Sequence, residues 1–230
     1  MRYVRTSRGT VFDTIQEGIN DLRQDGGWVE VSVGNFQENL IIRHPSTTLR
    51  GQGYMTAVGN AVNSRPTILI CGAAHQFAIK DIRIMNTSSG TAVFVSGATG
   101  GLFDSVHITD AGRDGIELYE STLTKINDCN IAHTDRHAIS IINSCGVLVV
   151  KNYMGHDYIS GSMVLISGGG GSIISNNLMT NFNANSGVGV MIGSPASTYT
   201  TVMGNRIAGF LRGIDDRGTS TFWSGLNNIS

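Results

Sequence analysis

The chain has 230 residues, a length that one domain can fill when its fold is elongated and all-β. Hydrophobic residues make up 40% of the chain, enough for a continuous core, whereas charged residues make up 14% and the formal net charge is −1. A general nucleic-acid binder needs a basic patch and a membrane protein a long apolar run, so the composition argues against nucleic-acid and membrane partners.

Residues 1–27 predict an N-terminal segment with a short capping helix. Thr14 and Glu17 have the spacing of a helix capping box. Apolar residues follow on one helical face, at Ile15, Ile19 and Leu22. The residues before the helix include several arginines but lack the apolar stretch of a secretory signal, so no signal peptide is visible.

Residues 28–230 contain a repeat with a period of about two dozen residues. One type of segment ends in an aliphatic residue, at positions 84, 108, 131, 154, 178, 207 and 229. A second type begins with an aliphatic residue, at positions 93, 116, 139, 164, 188 and 214. Most segments alternate apolar with polar residues as β-strands do, and turn-forming residues cluster between them. The repeat therefore predicts coils of two or three short strands.

Stacked coils of this kind predict an all-β fold, a right-handed parallel β-helix, as one continuous domain over residues 28–230. One coil cannot bury its apolar face alone, but stacked coils share a core. The Leu-x-x-Leu-x-Leu signature of a leucine-rich repeat is missing. We expect the helix to cover the N-terminal end of the solenoid. At the other end we expect a partner subunit or further chain, because no equivalent cap follows there.

Asparagine recurs two residues before the strand-ending aliphatic, at Asn152, Asn176 and Asn205. Residues two apart on a strand face the same way, so these side chains are predicted to form a ladder inside the solenoid. Asn177 and Asn228 lie one position later and are predicted to point outward.

Three stretches near the N-terminus resemble a known superfamily. They are Thr14-Ile15-Gln16-Glu17-Gly18-Ile19, Gly27-Trp28-Val29-Glu30-Val31 and Gly34-Asn35-Phe36-Gln37-Glu38-Asn39-Leu40-Ile41-Ile42. They look like the cap and first coil of pectin-lyase-like β-helix proteins. With the later coils, the resemblance covers most of the chain. It implies a fold shared by polysaccharide lyases, glycoside hydrolases, uronate epimerases, phage tailspikes and carbohydrate-binding modules, and it implies no single enzyme family.

Polar residues at matching offsets mark the turns of three consecutive coils. Asp110, His133 and His156 stand two residues after a strand-ending aliphatic. Arg113 and Arg136 stand three residues before the aliphatic residue that opens the next strand. Asp114 and His137 stand two residues before it. Equal offsets in stacked coils place side chains about one strand spacing apart, so these turns are predicted to form one patch.

The patch predicts roles for its residues. His133 or His137 would be the catalytic acid or base, with Asp110 and Asp114 as partners. Arg113 and Arg136 would bind substrate carboxylates bidentately. The other predicted substrate-binding residues are Asp135, His156, Asp157, Tyr158 and Glu117. The Asp residues could instead hold a hard cation such as Ca²⁺. The plain alternative is a set of solvated turns.

The patch and the resemblance support two functional hypotheses. The first is a carbohydrate-recognising β-helix with a polysaccharide partner, acting on an acidic polymer as a lyase or hydrolase. The second is a structural or receptor-binding protein of a virus particle or other surface assembly, of the tailspike or decoration type. It rests on the missing signal peptide, the uncapped end and the short length. Both favour an extracellular or virion-surface location, and we expect a homo-oligomer such as a trimer.

Overall fold

The computed structural model describes residues 3–62, 64–86, 89–156, 161–183, 186–224 and 227–229, and for Arg23 the backbone only. The first fourteen strands are β1 (Val4–Thr6), β2 (Val11–Phe12), β3 (Gly27–Val31), β4 (Gly34–Gln37), β5 (Leu40–Ile42), β6 (Thr47–Gly59), β7 (Ile68–Cys71), β8 (Ala78–Asn86), β9 (Val93–Ser96), β10 (Leu102–Asp104), β11 (His107–Ala111), β12 (Ile116–Tyr119), β13 (Lys125–Asn127) and β14 (Asn130–Thr134). The strands that follow are β15 (His137–Ile142), β16 (Leu148–Val150), β17 (Tyr153–His156), β18 (Ser162–Ser167), β19 (Gly169–Gly170), β20 (Ile173–Ser175), β21 (Leu178–Asn181), β22 (Ser186–Ile192), β23 (Ser197–Thr198), β24 (Thr201–Met203), β25 (Arg206–Ala208), β26 (Phe210–Asp216), β27 (Phe222–Trp223) and β28 (Asn228–Ile229). They stack as a parallel β-solenoid of about eight coils, which confirms the predicted fold class.

One α-helix, α1 (Ile15–Leu22), lies near the N-terminus and is followed by a 3-10 turn. The predicted capping box is present: the Thr14 hydroxyl donates to Glu17 Oε2 at 2.8 Å and accepts from the Glu17 N–H at 3.3 Å. The Glu38 carboxylate accepts hydrogen bonds from the first two backbone N–H groups of α1, both at 3.0 Å. The predicted apolar stripe is buried: Ile15, Ile19 and Leu22. No helix in the described ranges is long and apolar enough to span a membrane.

The smaller sheet has eight parallel strands, one from each coil: β5, β7, β9, β12, β15, β18, β22 and β26. Its side chains alternate between the core and the outer face. In the inward row, Ile116 pairs with Ile139. In the outward row, Glu117 lies between Phe94 of the preceding coil and Ser140 of the following coil. This row places Glu117 on the outer face of the sheet.

The larger sheet has eighteen strands, most of them in two parallel rows that share the long strands β6 and β8. The first row runs through β3, β6, β8, β10, β13, β16, β20, β24 and β27. The second runs through β4, β6, β8, β11, β14, β17, β21, β25 and β28. Between the rows most coils bend through one residue with a left-handed backbone, such as Asp128 (φ 50°) or Lys151 (φ 58°). The remaining strands are β1 and β2, which pair antiparallel at the N-terminal end, and the short pair β19 and β23.

An asparagine ladder lies inside the bend between the two rows, but not in its predicted register. Its members are Asn152, Asn177, Asn205 and Asn227. The Nδ2 of Asn152 donates to Oδ1 of Asn177 at 3.0 Å, and the Nδ2 of Asn177 donates to Oδ1 of Asn205 at 2.9 Å. The prediction that Asn176 joins the ladder and Asn177 points outward is therefore wrong.

The pairing of β21 explains this difference. Met179, not Leu178, pairs with Met154 and lies in the core. Asn177 stands two residues before Met179 and is buried, whereas Asn176 is exposed and forms the left-handed bend (φ 57°). The whole β21 segment is thus shifted by one residue from the predicted register, which exchanges inward and outward positions.

Candidate functional site

The turns before β12 and β15 carry most of the predicted site residues. Asp110, near the end of β11, and His133, near the end of β14, have left-handed backbones, with φ of 59° and 53°. Each is an extra residue in its strand, and Ala111 pairs with Thr134 directly after it. Asp110 and His133 are exposed and occupy matching positions in adjacent coils, as the offsets predict.

His156 does not share this position. It directly follows Gly155 without an extra residue, pairs with Asn181 and is buried. Its ring centroid nevertheless lies 6.2 Å from that of His133. The expectation that equal offsets align Asp110, His133 and His156 therefore fails for His156. Asp135 is exposed on the same outer turn as His133, and the predicted residues Asp157 and Tyr158 lie outside the described residues.

Asp114 is a buried partner of Arg136. Its side chain has 0% exposure; Oδ1 accepts a hydrogen bond from Nε of Arg136 at 2.8 Å, and Oδ2 accepts one from Nη2 of the same guanidinium. The Ser140 hydroxyl also donates to Oδ2, at 2.8 Å. The Asp114 carboxylate raises the pKa of Arg136 above its ordinary value. This bidentate pair satisfies the carboxylate and holds two neighbouring coils together, so Asp114 positions Arg136.

Glu117 is the carboxylate of this cluster that lies on the outer face of the sheet. Its Oε2 lies 3.9 Å from Nη2 of Arg113 and 3.8 Å from Nη2 of Arg136, and the Thr91 hydroxyl donates to it at 3.3 Å. Burial and, after it, the negative charge of Asp114 raise the pKa of Glu117, although both guanidinium groups oppose the rise. A carboxyl with a raised pKa exchanges its proton closer to neutral pH than an ordinary glutamate does.

A groove with a volume of about 170 Å³ opens beside Glu117, and we call it the Glu117 groove. Its lining includes the Phe94 ring from the preceding coil and the half-exposed Arg113 side chain. The remaining lining residues are Ser64, Pro66, Gly90 and Thr91. The groove therefore combines an aromatic ring, a guanidinium group and a carboxyl with a raised pKa.

His137 lies beneath the surface, between two coils. Its Nδ1 accepts a hydrogen bond from the backbone N–H of Ser162 at 3.0 Å and lies 3.0 Å from the Ser162 hydroxyl. Burial lowers the pKa of His137, so the ring is neutral at neutral pH. The backbone of Gly161 packs so closely that a Cβ there would lie 2.5 Å from the ring. These contacts give His137 a packing role between coils.

The charged groups of the cluster suit an anionic ligand better than a cation. Among the residues that the structure describes, no three His, Cys, Asp or Glu side chains come together as a metal site. The Ca²⁺ alternative needs several carboxylates with open coordination positions. Asp114 is engaged by Arg136, and Glu117 lies between two guanidinium groups. Asp110 and Asp135 remain on the outer turn.

Sequence reasoning missed one contributor to the cluster. Thr91, which donates to Glu117, stands two residues before Val93, the same offset as Asp114 before Ile116, and this offset was its signal. The contact of Thr91 depends on how the preceding coil stacks.

The comparisons with known proteins agree on the fold. No curated protein sequence matches the chain. A pectin methylesterase from Yersinia enterocolitica has a TM-score of 0.68 and 13% identity over 95% of this chain and 94% of that chain. An alginate lyase from Paenibacillus sp. str. FPU-7 has a TM-score of 0.64 and 11% identity over 94% of both chains. ORF18 of Geobacillus virus E2 has a TM-score of 0.67 and 16% identity over 95% of this chain and 56% of that chain.

A protein-family model shows which family this chain belongs to. The model is described as a right handed beta helix region, and it matches residues 22–154 and 114–228. These two overlapping matches together cover residues 22–228, which include all the strands from β3 to β27 and the first residue of β28. The chain therefore belongs to the right-handed β-helix family.

Proposed function

We propose that this chain is a carbohydrate-acting β-helix whose Glu117 groove binds an acidic polysaccharide and cleaves it by β-elimination. The observation that carries the proposal is the meeting of one outward carboxyl with two guanidinium groups in a groove. Arg113 binds the carboxylate of a uronate residue, and Glu117 moves the proton. Arg136, held by Asp114, keeps positive charge beside both.

The chemistry needs one base and one carboxylate-binding group. A guanidinium that neutralises the uronate carboxylate makes the neighbouring C–H bond more acidic. Ionised Glu117 takes that proton, the C–H electron pair forms a C=C bond to the next carbon, and the glycosidic C–O bond at that carbon breaks. The leaving oxygen takes the proton from Glu117, which regenerates the carboxylate. A raised pKa suits a group that both accepts and returns a proton.

Hydrolysis fits the cluster less well. Glycoside hydrolases of the usual kind use two carboxyl groups, one as acid and one as base or nucleophile. Asp114 is the second carboxyl of the cluster, but it is fully buried and engaged by Arg136 and Ser140. Glu117 therefore stands alone, which favours elimination.

The structural neighbours support a carbohydrate substrate. Two of them are named as a pectin methylesterase and an alginate lyase, so each carries the name of the polysaccharide that it acts on. Their likeness to this chain is one of fold, and the substrate class of this chain rests on Arg113 and Glu117. The guanidinium pair favours an acidic polymer over a neutral one.

The test is the formation of an unsaturated product from acidic polysaccharides such as pectate and alginate, followed by ultraviolet absorbance. We expect Glu117→Gln to lower kcat roughly 100-fold or more while binding is retained. Arg113→Ala should raise KM. His133→Ala, on the outer turn, is the matched control and should keep the activity of the parent. The proposal fails if no acidic polysaccharide is cleaved, or if Glu117→Gln is as active as the parent.

A second candidate is a structural or receptor-binding element of a virus particle, for which the fold likeness to ORF18 of Geobacillus virus E2 is the specific observation. The homo-oligomer, with a trimer as its expected form, belongs to this candidate. Light scattering measures the solution mass. A stable trimer without turnover favours the second candidate, and an active monomer counts against it.

A further inference from the structure

A larger groove lies on the first row of the larger sheet, away from Glu117. Its volume is about 570 Å³, within the range of small-molecule sites. The lining residues that matter here are Trp28, Glu30, Arg50, Lys80, Asp81 and Asp104. We call it the Trp28 groove. Val29 and Val31 are buried. Side chains alternate between the two faces of a strand, so Trp28 and Glu30 lie on the outer face of β3.

The register of the strands arranges this groove in two rows. One row places Trp28 beside Thr48, and Thr48 beside Ala78. The second row, two residues further along each strand, runs Glu30, Arg50, Lys80 and Asp104. Three strand spacings separate the ends of the second row, roughly 14 Å, and two residues separate the rows, roughly 7 Å. These dimensions leave room for an extended chain of small rings.

Trp28 provides an aromatic surface at one end of the groove. It is 41% exposed, and its row continues with the small side chains of Thr48 and Ala78. The face of an indole ring is electron-rich. The C–H bonds on one face of a pyranose ring point the positive ends of their dipoles outward. A sugar ring therefore stacks favourably on an exposed indole.

The polar row is held in place by partners within the protein. Nε of Arg50 lies 3.2 Å from Oδ2 of Asp81. Oε1 of Glu30 accepts a hydrogen bond from Gln52 at 3.3 Å, and Oδ1 of Asp104 accepts one from Asn127 at 2.9 Å. Such contacts orient polar groups before a ligand arrives, which lowers the entropy that binding must overcome.

Lys80 differs from its neighbours in the polar row. It stands between Arg50 and Asp104 and makes no ion pair with any residue in the described part of the chain. Its ammonium group has three donors for a ligand. The groove thus holds two cations against three carboxylates, a net negative charge that disfavours a polyanion.

We propose that the Trp28 groove is a second carbohydrate-binding site, and that it takes a neutral oligosaccharide. Trp28 stacks on one sugar ring, Lys80 and Arg50 donate hydrogen bonds to its hydroxyl and ring oxygens, and Glu30 and Asp104 accept from hydroxyl groups. This site is separate from the Glu117 groove and does not depend on the elimination reaction.

The experiment is an array of immobilised neutral and acidic oligosaccharides, probed with the full chain and followed by titration of every neutral oligosaccharide that binds. We expect at least one to bind, and Trp28→Ala and Lys80→Ala each to weaken it tenfold or more. Trp28→Tyr should retain most of the affinity because it keeps an aromatic ring. Trp223→Ala is the matched control, since Trp223 is the other tryptophan and is 54% exposed on β27.

The outcomes separate this proposal from the proposed function. Neutral oligosaccharide binding that survives in Glu117→Gln and is lost in Trp28→Ala supports the second site, whether or not acidic polymers are cleaved. Binding of acidic oligosaccharides alone overturns it. Equal loss in Trp28→Ala and Trp223→Ala, or no loss in either, also overturns it. Melting temperatures of all variants exclude a loss of binding through unfolding.

Discussion

Replacing either partner of the Asp114–Arg136 pair should destabilise the protein, but by unequal amounts. Arg136→Ala leaves a fully buried carboxylate with the Ser140 hydroxyl as its remaining partner. Removal of one member of a buried ion pair costs about 3–5 kcal/mol. For a chain of this length each kcal/mol lowers the melting temperature by about 2–4 °C, so the loss is about 6–20 °C.

Asp114→Ala should cost less. The guanidinium that it leaves behind is 39% exposed, and Glu117 remains 3.8 Å away as a second partner. The loss is then close to that of hydrogen bonds to a charged group, about 1.5–3 kcal/mol. The double variant should lose less than the sum of the two single losses, because the pair acts as one unit.

Thermal unfolding followed by circular dichroism measures these differences. Arg113→Ala is the matched control, since Arg113 is half exposed, belongs to the same cluster and lies 3.9 Å from Glu117. Its melting temperature should stay near that of the parent. The account of a buried structural carboxylate is refuted if Arg136→Ala has the same melting temperature as Arg113→Ala. It is also refuted if Asp114→Ala lowers the melting temperature more than Arg136→Ala does.

Three other predictions concern the ladder, Glu117 and the thiols. The Asn177 side chain makes four hydrogen bonds within the solenoid. Urea unfolding should therefore show that Asn177→Ala lowers the free energy of unfolding by about 3–5 kcal/mol, whereas the exposed control Asn130→Ala lowers it by about 0.5 kcal/mol or less. Equal losses in the two variants would contradict the structural role of the ladder. The pKa of Glu117 is raised from 4.5, so ionisation of this side chain opposes folding. Glu117→Gln should therefore gain stability over the parent as pH rises from the ordinary pKa through the folded-state pKa, and should show no gain below the ordinary pKa. Melting temperatures of the variant and the parent that change in parallel across that pH range would disprove this prediction. Burial raises the pKa of Cys129 to about 12, so a disulfide reagent at mildly alkaline pH should label the exposed Cys145 and spare Cys129 until the chain unfolds; prompt labelling of Cys129 would show that the core opens.

The period of the coils could be predicted because it depends on local alternation. The strand-ending aliphatics predicted at 84, 108, 131, 154 and 207 are all fully buried. The prediction at 178 failed because two asparagines precede two apolar residues there, so either register satisfies the alternation. Stacking on the preceding coil decides, since Met154 pairs with Met179. A choice between two registers that differ by one residue can be made only when the neighbouring coil is considered together with the segment itself.

The sequence predicted which residues of the cluster become neighbours but not how each side chain is oriented. Offsets correctly brought Asp114, Arg136 and Glu117 into neighbouring coils, yet Asp114 is buried beside the core. The signal was present, because Asp114 stands two residues before the inward Ile116 and therefore shares its face. His137 has the same relation to Ile139. Residues of that face lie inside the coil, whereas Glu117, one residue beyond Ile116, reaches the groove.

The outward row of the smaller sheet bears on the proposed role of Glu117. Besides the buried Ser140, the members of this row near it are apolar and half buried: Leu69, Phe94, Leu165 and Met191. A carboxylate placed among such residues loses hydration, which is why burial is the leading cause of its raised pKa. An aliphatic side chain in its place would pack without that cost. Two guanidinium groups lie within 4 Å of Glu117 and offset part of this cost, and the proposed binding of an acidic ligand would account for a carboxylate at this position.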